Sequence, residues 1–244
     1  MSIRSLRSAV AFLTVVPVAD ADGRPGERLG RAYFPAVGAL LGLVAGATLV
    51  LVSALTTPWL GAVAAVAVLA VLTGGLHLDG LADAADGLLS PTASAQRRLE
   101  IMRDSRIGSF GATALVLVLA GDVAALAGLS PVRAIVALVV AGAMSRWAML
   151  GLVAFLPYVH ADGLGVAATG PNRRFDLLLG SATVALVATL DWRRSLVALL
   201  VVIATAAVVA WIARRRIAGA TGDVYGAATE LCQLAAFVAF ASHA

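Results

Sequence analysis

Long apolar stretches alternate with short polar segments along the whole chain. Between Ala32 and Leu76 there is no Asp, Glu, Arg or Lys, and the stretch is interrupted by a Thr-Thr-Pro break at residues 56–58. A helix crosses the core of a bilayer with about 20 apolar residues, so this stretch alone predicts two spans. The whole chain predicts seven transmembrane helices, or six if the short fifth one is not a span: 33–56, 58–76, 110–129, 133–156, 177–190, 195–213 and 224–243.

The composition supports this interpretation. Of the 244 residues, 61% are hydrophobic and 13% are charged, and the mean hydropathy is +0.95. Soluble domains have about 45–50% apolar and about 25% charged residues, so an ordinary soluble domain and a disordered chain are excluded. A single cysteine, Cys232, excludes an internal disulfide. We therefore predict an all-α fold, a polytopic integral membrane helical bundle, as one domain over residues 1–244 with a cytoplasmic or interfacial N-terminal segment at 1–31.

The arginines predict the orientation. Cytoplasmic loops of membrane proteins carry an excess of Arg and Lys. If the N-terminus is cytoplasmic, 14 of the 18 basic residues fall on the cytoplasmic side and three fall outside. The 14 are Arg4, Arg7, Arg24, Arg28, Arg31, Arg97, Arg98, Arg103, Arg106, Arg173, Arg174, Arg214, Arg215 and Arg216.

Two further features lie inside predicted spans. Gly38, Gly42 and Gly46 recur every four residues, a spacing that lets helices approach closely in lipid and would permit a dimer. Asp122 and Arg146 lie at similar depths in adjacent antiparallel spans. We interpret them as a buried structural ion pair, with a transport relay as the alternative.

The acidic residues are concentrated at one place. Asp79, Asp83 and Asp86 follow the spacing i, i+4, i+7, which places them within an arc of about 60° on one face of a helix. Such carboxylates repel one another, so one of them is protonated or a cation binds them. Mg²⁺, together with bound phosphates, suits such a set, and Mn²⁺ is the alternative ion. The alternative interpretation is a solvated polar helix face.

A segment that suits phosphate follows the acids. In residues 102–111, Arg103 and Arg106 flank Asp104 and Ser105, and a turn that includes Gly108 leads into the next span. Arginine side chains and the N–H groups at the start of a helix bind phosphate. We predict that Arg103, Ser105, Arg106 and Gly108 contact phosphate and that Asp104 adds a metal ligand. A positive-inside anchor with a capping serine explains the segment equally well.

Two later cytoplasmic segments are also polar. Asn172 and Arg173 precede the fifth span and are candidates for binding a substrate. Asp223 begins the last span, where it binds substrate or only caps the helix. Glu230 lies further along the same span without an evident role.

The charged groups gather at one membrane face, with residues 77–109 as the cytoplasmic acidic and phosphate-binding segment. This arrangement favours metal-assisted transfer of a phosphoryl group. It is less typical of a transporter, whose charges lie near the middle of the bilayer. A phosphotransferase of lipid head groups that uses CDP-linked donors, and a transporter of cations or vitamin precursors, remain the alternatives.

Several stretches resemble the cobalamin synthase family, the adenosylcobinamide-GDP ribazoletransferases. They are residues 33–38 (YFPAVG), 74–83 (GGLHLDGLAD), 86–88 (DGL), 102–111 (MRDSRIGSFG) and 221–227 (TGDVYGA). Ala84 and Tyr225 depart from the family pattern, and neither is an acid. The resemblance implies that adenosylcobinamide-GDP and α-ribazole, or its 5′-phosphate, are joined with release of GMP.

The same resemblance implies a Mg²⁺-dependent enzyme of the prokaryotic inner membrane with a cytoplasmic active site. Membrane lipid and other enzymes of cobalamin assembly are its expected partners, a homo-oligomer is compatible with it, and no nucleic acid is expected. In this scheme Asp79, Asp83 and Asp86, joined by Asp104, hold the metal.

The general base is left open between two residues. His77 titrates near neutral pH, but on a continuous helix it lies about 160° from the middle of the acidic face. Asp83 is the slightly favoured alternative.

Overall fold

A computed structural model of the protein describes residues 3–18, 29–92, 94–159 and 168–242. The helices are α1 (Ile3–Leu13), α2 (Phe34–Leu55), α3 (Pro58–Leu72), α4 (Leu76–Leu89), α5 (Ala95–Met102), α6 (Ser109–Ala127), α7 (Pro131–Phe155), α8 (Arg173–Ala188), α9 (Trp192–Ile217) and α10 (Gly222–Ala241). These residues contain no β-strand beyond one isolated bridge, between Tyr158 and Ala220. The predicted all-α fold is confirmed. Arg24 and Arg28, counted above as cytoplasmic, lie outside the described residues.

Five helical stretches in the described part of the chain are long and apolar enough to cross a membrane. They are Arg31–Leu55, Ser109–Ala127, Pro131–Phe155, Arg173–Ile217 and Gly222–Ala241. Taken together, α3 and α4 are also long and apolar enough to cross the membrane as one bent unit, which raises the number of candidate spans to six. The chain is therefore a multi-pass membrane protein.

The difference from the predicted seven spans lies in Arg173–Ile217. This stretch is helical over 45 residues, with a short 3₁₀ turn at Thr189–Asp191, and at 1.5 Å per residue it is about twice as long as one crossing needs. Asp176 near its start contacts Arg31, and Arg216 near its end lies beside Arg98. Because Arg31 and Arg98 flank α2 and α4 at the same predicted face, two crossings stay our prediction for this stretch.

Helix α7 forms the centre of the bundle. Most of its residues are buried, and α10 is buried almost as completely. Helix α2 crosses α7 at a glycine contact, where a Cβ at Gly38 would overlap the Gly142 carbonyl oxygen and a Cβ at Gly142 would overlap that of Gly38. Gly42 meets Leu138 in the same way. The glycine ridge thus packs α2 against α7 inside the bundle of one chain.

The predicted ion pair between Asp122 and Arg146 is not formed among the described residues. Both side chains are buried, at 1% exposure each, but Gln233 of α10 lies between them. The Arg146 guanidinium donates a hydrogen bond of 2.8 Å to Gln233 Oε1, and Gln233 also bonds the Asp122 carboxyl. The two residues are linked through an amide without a direct ion pair, and Asp122 Oδ1 and Arg146 Nε keep no hydrogen-bond partner among the described residues.

Helix α4 runs in a different direction from α3. The two helices meet at 89° across Gly74 and Gly75, whose φ angles of 62° and 70° are in the left-handed region that favours glycine. We infer that α4 runs along the membrane surface, outside the spanning segments. Its acidic residues therefore reach water.

The helix crossing of α2 and α7 can be tested with two glycines of α7. Gly142→Ala places a methyl group against the Gly38 carbonyl, whereas a Cβ at Gly151 meets nothing within 4 Å. Overpacking of this kind costs about 1–3 kcal/mol. We expect Gly142→Ala to lower the thermal unfolding midpoint of the detergent-solubilised protein by several degrees and Gly151→Ala to leave it unchanged. Equal midpoints for both variants would contradict the described crossing.

Candidate active site

The acidic face of α4 is open to solvent. Asp79 is exposed, Asp83 and Asp86 are half-buried, and the other side of the helix packs into the bundle through Leu81, Leu88 and small residues. The helical spacing that predicts one acidic face is therefore reproduced. The three carboxylates do not share one environment, however, since Asp79 and Asp83 line one cavity and Asp86 lines another.

Helix α10 brings a fourth acid to this face. At the crossing of α4 and α10, a Cβ at Gly80 would lie 3.1 Å from the Asp223 Cα, and a Cβ at Gly226 would lie 3.2 Å from the Gly80 Cα. Thr221 caps α10, because its hydroxyl accepts from the Val224 N–H at 3.3 Å and donates to Asp223 Oδ2 at 3.1 Å. The cap of α10 is therefore Thr221 and not Asp223, and the glycine crossing places Asp223 next to the acids of α4.

The charges of these acids act on one another. Partial burial, with the neighbouring carboxylates of Asp79, Asp223 and Asp86, raises the pKa of Asp83 to about 7. A carboxylate with so high a pKa gains a proton or a cation more readily than an isolated one. The electrostatics of the site thus favour binding of a positive ion.

The donor set fits an ion shared with a substrate better than a preformed metal cage. In the described ranges no three His, Cys, Asp or Glu side chains converge closely enough to hold a metal alone. Mg²⁺ is commonly held by one or two carboxylates plus substrate phosphates and water. Asp79, Asp83 and Asp223 supply carboxylate oxygens of that kind beside an open cavity.

Asp86 anchors the phosphate-binding segment. Its two carboxylate oxygens accept hydrogen bonds from the N–H groups of Gly108 and Gly111, at 2.7 and 2.9 Å. These groups belong to the start of α6, where a negative charge interacts favourably with the helix dipole. The predicted phosphate donor Gly108 thus already bonds a carboxylate of the protein.

Asp104 and Arg106 form an exposed pair. Arg106 Nε and Nη2 donate to the two Asp104 oxygens at 3.0 and 2.7 Å, and the Arg106 N–H adds a bond of 3.1 Å. The side-chain hydrogen bonds from Arg106 lower the pKa of Asp104 to about 2. Asp104 is ionised at neutral pH and orients Arg106, and a metal ion would compete with that arginine for it.

Two cavities flank residues 104–108. The larger one, about 460 Å³, lies between α4 and α6, and Asp79, Asp83 and Ser105 contribute its polar groups. The smaller one, about 230 Å³, includes Arg106 and Gly108. Exposed Arg103 belongs to the same segment. The predicted phosphate-binding segment is thus the wall between two clefts.

His77 points away from the acidic face. Its side chain is 2% exposed, and its Nδ1 lies 3.9 Å from Glu230 Oε1 on α10. The helical geometry predicts this separation from the acids. The structure therefore favours Asp83 over His77 as a proton acceptor, and it gives Glu230 a neighbour that the sequence does not reveal.

Asn172 and Arg173 lie at the start of α8. Arg173 donates to the Val153 carbonyl near the end of α7 at 3.1 Å, and Asn172 is exposed with a φ of 61°. Arg173 also lies close enough to Tyr225 to act on it electrostatically. Positions 223 and 225 lie about 200° apart around α10, so this proximity places Arg173 near the start of α10 but on a different face from Asp223.

Arg98 has a role that sequence reasoning missed. It is 2% exposed, and its guanidinium donates to the carbonyl groups of Gly87, Leu88, Ser90 and Thr92 at the end of α4. A buried cation there satisfies the last carbonyls and the helix dipole. In the sequence its only signal is a cation shortly after an acidic helix, which a positive-inside anchor explains equally well.

Comparison with known proteins gives one consistent family. The model of the cobalamin-5-phosphate synthase family matches residues 5–241. The chain is 42% identical to an adenosylcobinamide-GDP ribazoletransferase of Azorhizobium caulinodans, an alignment that covers 93% of this chain and 91% of the relative. The identity to proteins of the same name is 41% for Rhizobium etli, covering 96% and 95%, and 39% for Pseudomonas syringae, covering 96% and 97%. No solved structure matches the chain.

The adjacent arginines of α5 provide a matched test of the cap on α4. Arg98 is buried against the α4 carbonyls, while the Arg97 side chain is 64% exposed and pairs with Glu100. Arg98→Ala leaves buried carbonyls without donors, at a cost of about 1–3 kcal/mol for each such group. We expect Arg98→Ala to lower both the unfolding midpoint and the activity, and Arg97→Ala to change neither. Equal losses of unfolding midpoint and activity in Arg98→Ala and Arg97→Ala would show that Arg98 acts only as surface charge.

Proposed function

The chain belongs to the cobalamin-5-phosphate synthase family, and we propose that it is an adenosylcobinamide-GDP ribazoletransferase of a prokaryotic inner membrane. The observation that carries this proposal is the acidic cleft between α4 and α6, with the carboxylate of Asp223 brought close by the crossing of α4 and α10. Its carboxylates suit a donor that carries a diphosphate and a metal ion. The positive-inside distribution of arginines favours a cleft that faces the cytoplasm.

In the proposed reaction the 3′-hydroxyl of α-ribazole, or of its 5′-phosphate, attacks the phosphorus atom attached to the aminopropanol arm of adenosylcobinamide-GDP. The new phosphorus–oxygen bond forms as the bond to the leaving GMP oxygen breaks. The hydroxyl proton goes to a base. GMP leaves with the bridging oxygen and the electron pair of the broken bond, while the transferred phosphorus keeps one negative charge in the new phosphodiester.

The acids provide the binding and the base. Asp79, Asp83 and Asp223 would hold Mg²⁺, or Mn²⁺, with the diphosphate. When bound, the ion neutralises charge on the phosphate oxygens. Asp83 lines the larger cavity, so a hydroxyl bound there reaches its carboxylate, and we assign the proton to Asp83.

The remaining predicted residues border the donor. Asp86 holds the start of α6 in place through two backbone N–H groups, which fixes the segment with Arg103, Ser105 and Arg106 over the cleft. In the same segment, Asp104 hydrogen-bonds the Arg106 guanidinium and so orients it to contact an anionic substrate. Asn172 and Arg173 are our candidates for contacting the guanine end of the donor.

The transporter alternative has less support. Its best residues are Asp122 and Arg146, and both are hydrogen-bonded to Gln233 inside the bundle. A lipid head-group phosphotransferase uses similar metal chemistry, so its substrates are included in the test below.

Release of GMP tests the proposal. Purified protein in detergent and lipid is given adenosylcobinamide-GDP and α-ribazole, with Mg²⁺ or with EDTA, and each substrate is also omitted in turn. We expect GMP only when both substrates and the metal are present, because the acids alone repel the diphosphate. Turnover of a CDP-alcohol donor in place of these substrates would contradict the proposal. Equal GMP release in the presence of EDTA would contradict its metal requirement.

A further inference from the structure

The larger cavity beside the acids has both apolar and acidic walls. It extends between the start of α4 and the first turns of α6 with a volume of about 460 Å³. Leu76, Leu78, Ile107 and Leu115 supply side chains to its walls, while Asp79, Asp83 and Ser105 supply its polar groups. The cavity is thus a groove with an apolar wall and an acidic edge.

The lining does not suit a phosphate group by itself. Among the described residues that line this groove there is no arginine, and two carboxylates repel an anion. The smaller cavity on the other side of residues 104–108 does contain an arginine, Arg106, together with the carboxylates of Asp86 and Asp104. Those carboxylates already accept hydrogen bonds from Arg106 and from backbone N–H groups, whereas the described lining of the larger cavity has no arginine beside its acids.

The size and shape of the groove suit a nucleoside. Pockets for small molecules measure about 300–1,000 Å³ and combine apolar walls with a few polar groups that set the orientation. An uncharged aromatic base would lie among Leu78, Ile107 and Leu115, and its attached sugar would extend toward Asp83. A corrinoid with its nucleotide is too large for this volume.

We propose that this groove is the acceptor subsite, which binds the dimethylbenzimidazole base of α-ribazole between α4 and α6. Leu115 and Ile107 set the size of the base that fits, and Asp83 lies at the sugar end. This inference rests on the proposed function. It places the acceptor in the apolar groove. The anionic parts of the donor then lie at the acids and on the other side of residues 104–108.

A matched pair of leucines on α6 tests the subsite. Leu115 lines the groove, whereas Leu117 is 64% exposed on the same helix and lies outside the groove lining. Leu115→Phe and Leu117→Phe are compared by steady-state kinetics with each substrate varied in turn. The acceptors are the nucleosides of 5,6-dimethylbenzimidazole and of benzimidazole, which lacks the two methyl groups.

We expect Leu115→Phe to raise KM for the dimethylated nucleoside at least about tenfold, since misfit of a methyl group in an apolar pocket changes specificity by about 10–200-fold. KM for the benzimidazole nucleoside should rise less, and KM for adenosylcobinamide-GDP should stay within twofold. Leu117→Phe should change none of these constants. Ile107→Phe, at a position that is 58% exposed, provides a second groove variant if Leu115→Phe does not fold.

Two results would overturn the subsite. One is a rise in KM for adenosylcobinamide-GDP with no change for the acceptors, and the other is unchanged selectivity between the two nucleosides in both groove variants. Turnover by the unmodified protein would still support the proposed function in either case. A lack of turnover by the unmodified protein with both substrates and Mg²⁺ would instead contradict the proposed function, and the subsite with it.

Discussion

The close contact of α4 with α10 is the constraint on which the site depends. Gly80 and Gly226 let the two backbones approach so that Asp223 stands beside the acids of α4. A Cβ at Gly80 would lie 3.1 Å from the Asp223 Cα, so even an alanine there requires a small shift of α10, and a larger side chain requires a larger one. The geometry of the site is therefore set by backbone packing, and the charged residues occupy positions that the packing creates.

This packing holds like charges together, which is unfavourable unless something compensates for it. The surrounding structure supplies the compensation. Asp86 accepts two N–H hydrogen bonds at the start of α6, and Arg98 anchors the end of α4 through its last carbonyls. Asp79 and Asp83 line the cleft with Asp223 nearby, and their charge can be used there to bind a cation with a diphosphate. The apolar groove beside them then accepts the uncharged reactant.

Much of this arrangement could be predicted from the sequence, because it follows from local periodicity. Hydropathy locates the apolar helices, and the spacing of Asp79, Asp83 and Asp86 gives one acidic face with His77 turned away. The remainder depends on which helices touch. The link of Asp122 to Arg146 through Gln233 has no local signature in the sequence. The buried role of Arg98 has none either, since an arginine that follows the positive-inside pattern and one that caps a helix look alike in the sequence. Asp86 is set apart from the other acids because its carboxylate bonds the start of α6. That helix is a separate element of the chain, so the periodicity of α4 does not reveal the contact.

The most direct test of this account is the coupling between Asp83 and Asp223 in turnover. GMP release is measured for Asp83→Asn, Asp223→Asn and the double variant, with Asp191→Asn as a control distant from the site. Residues that act as one unit show strongly non-additive effects, so we predict that each single variant loses about 10²-fold or more in kcat/KM and that the double variant loses little further. Additive losses, or full activity of Asp223→Asn, would contradict a site assembled by the crossing of α4 and α10.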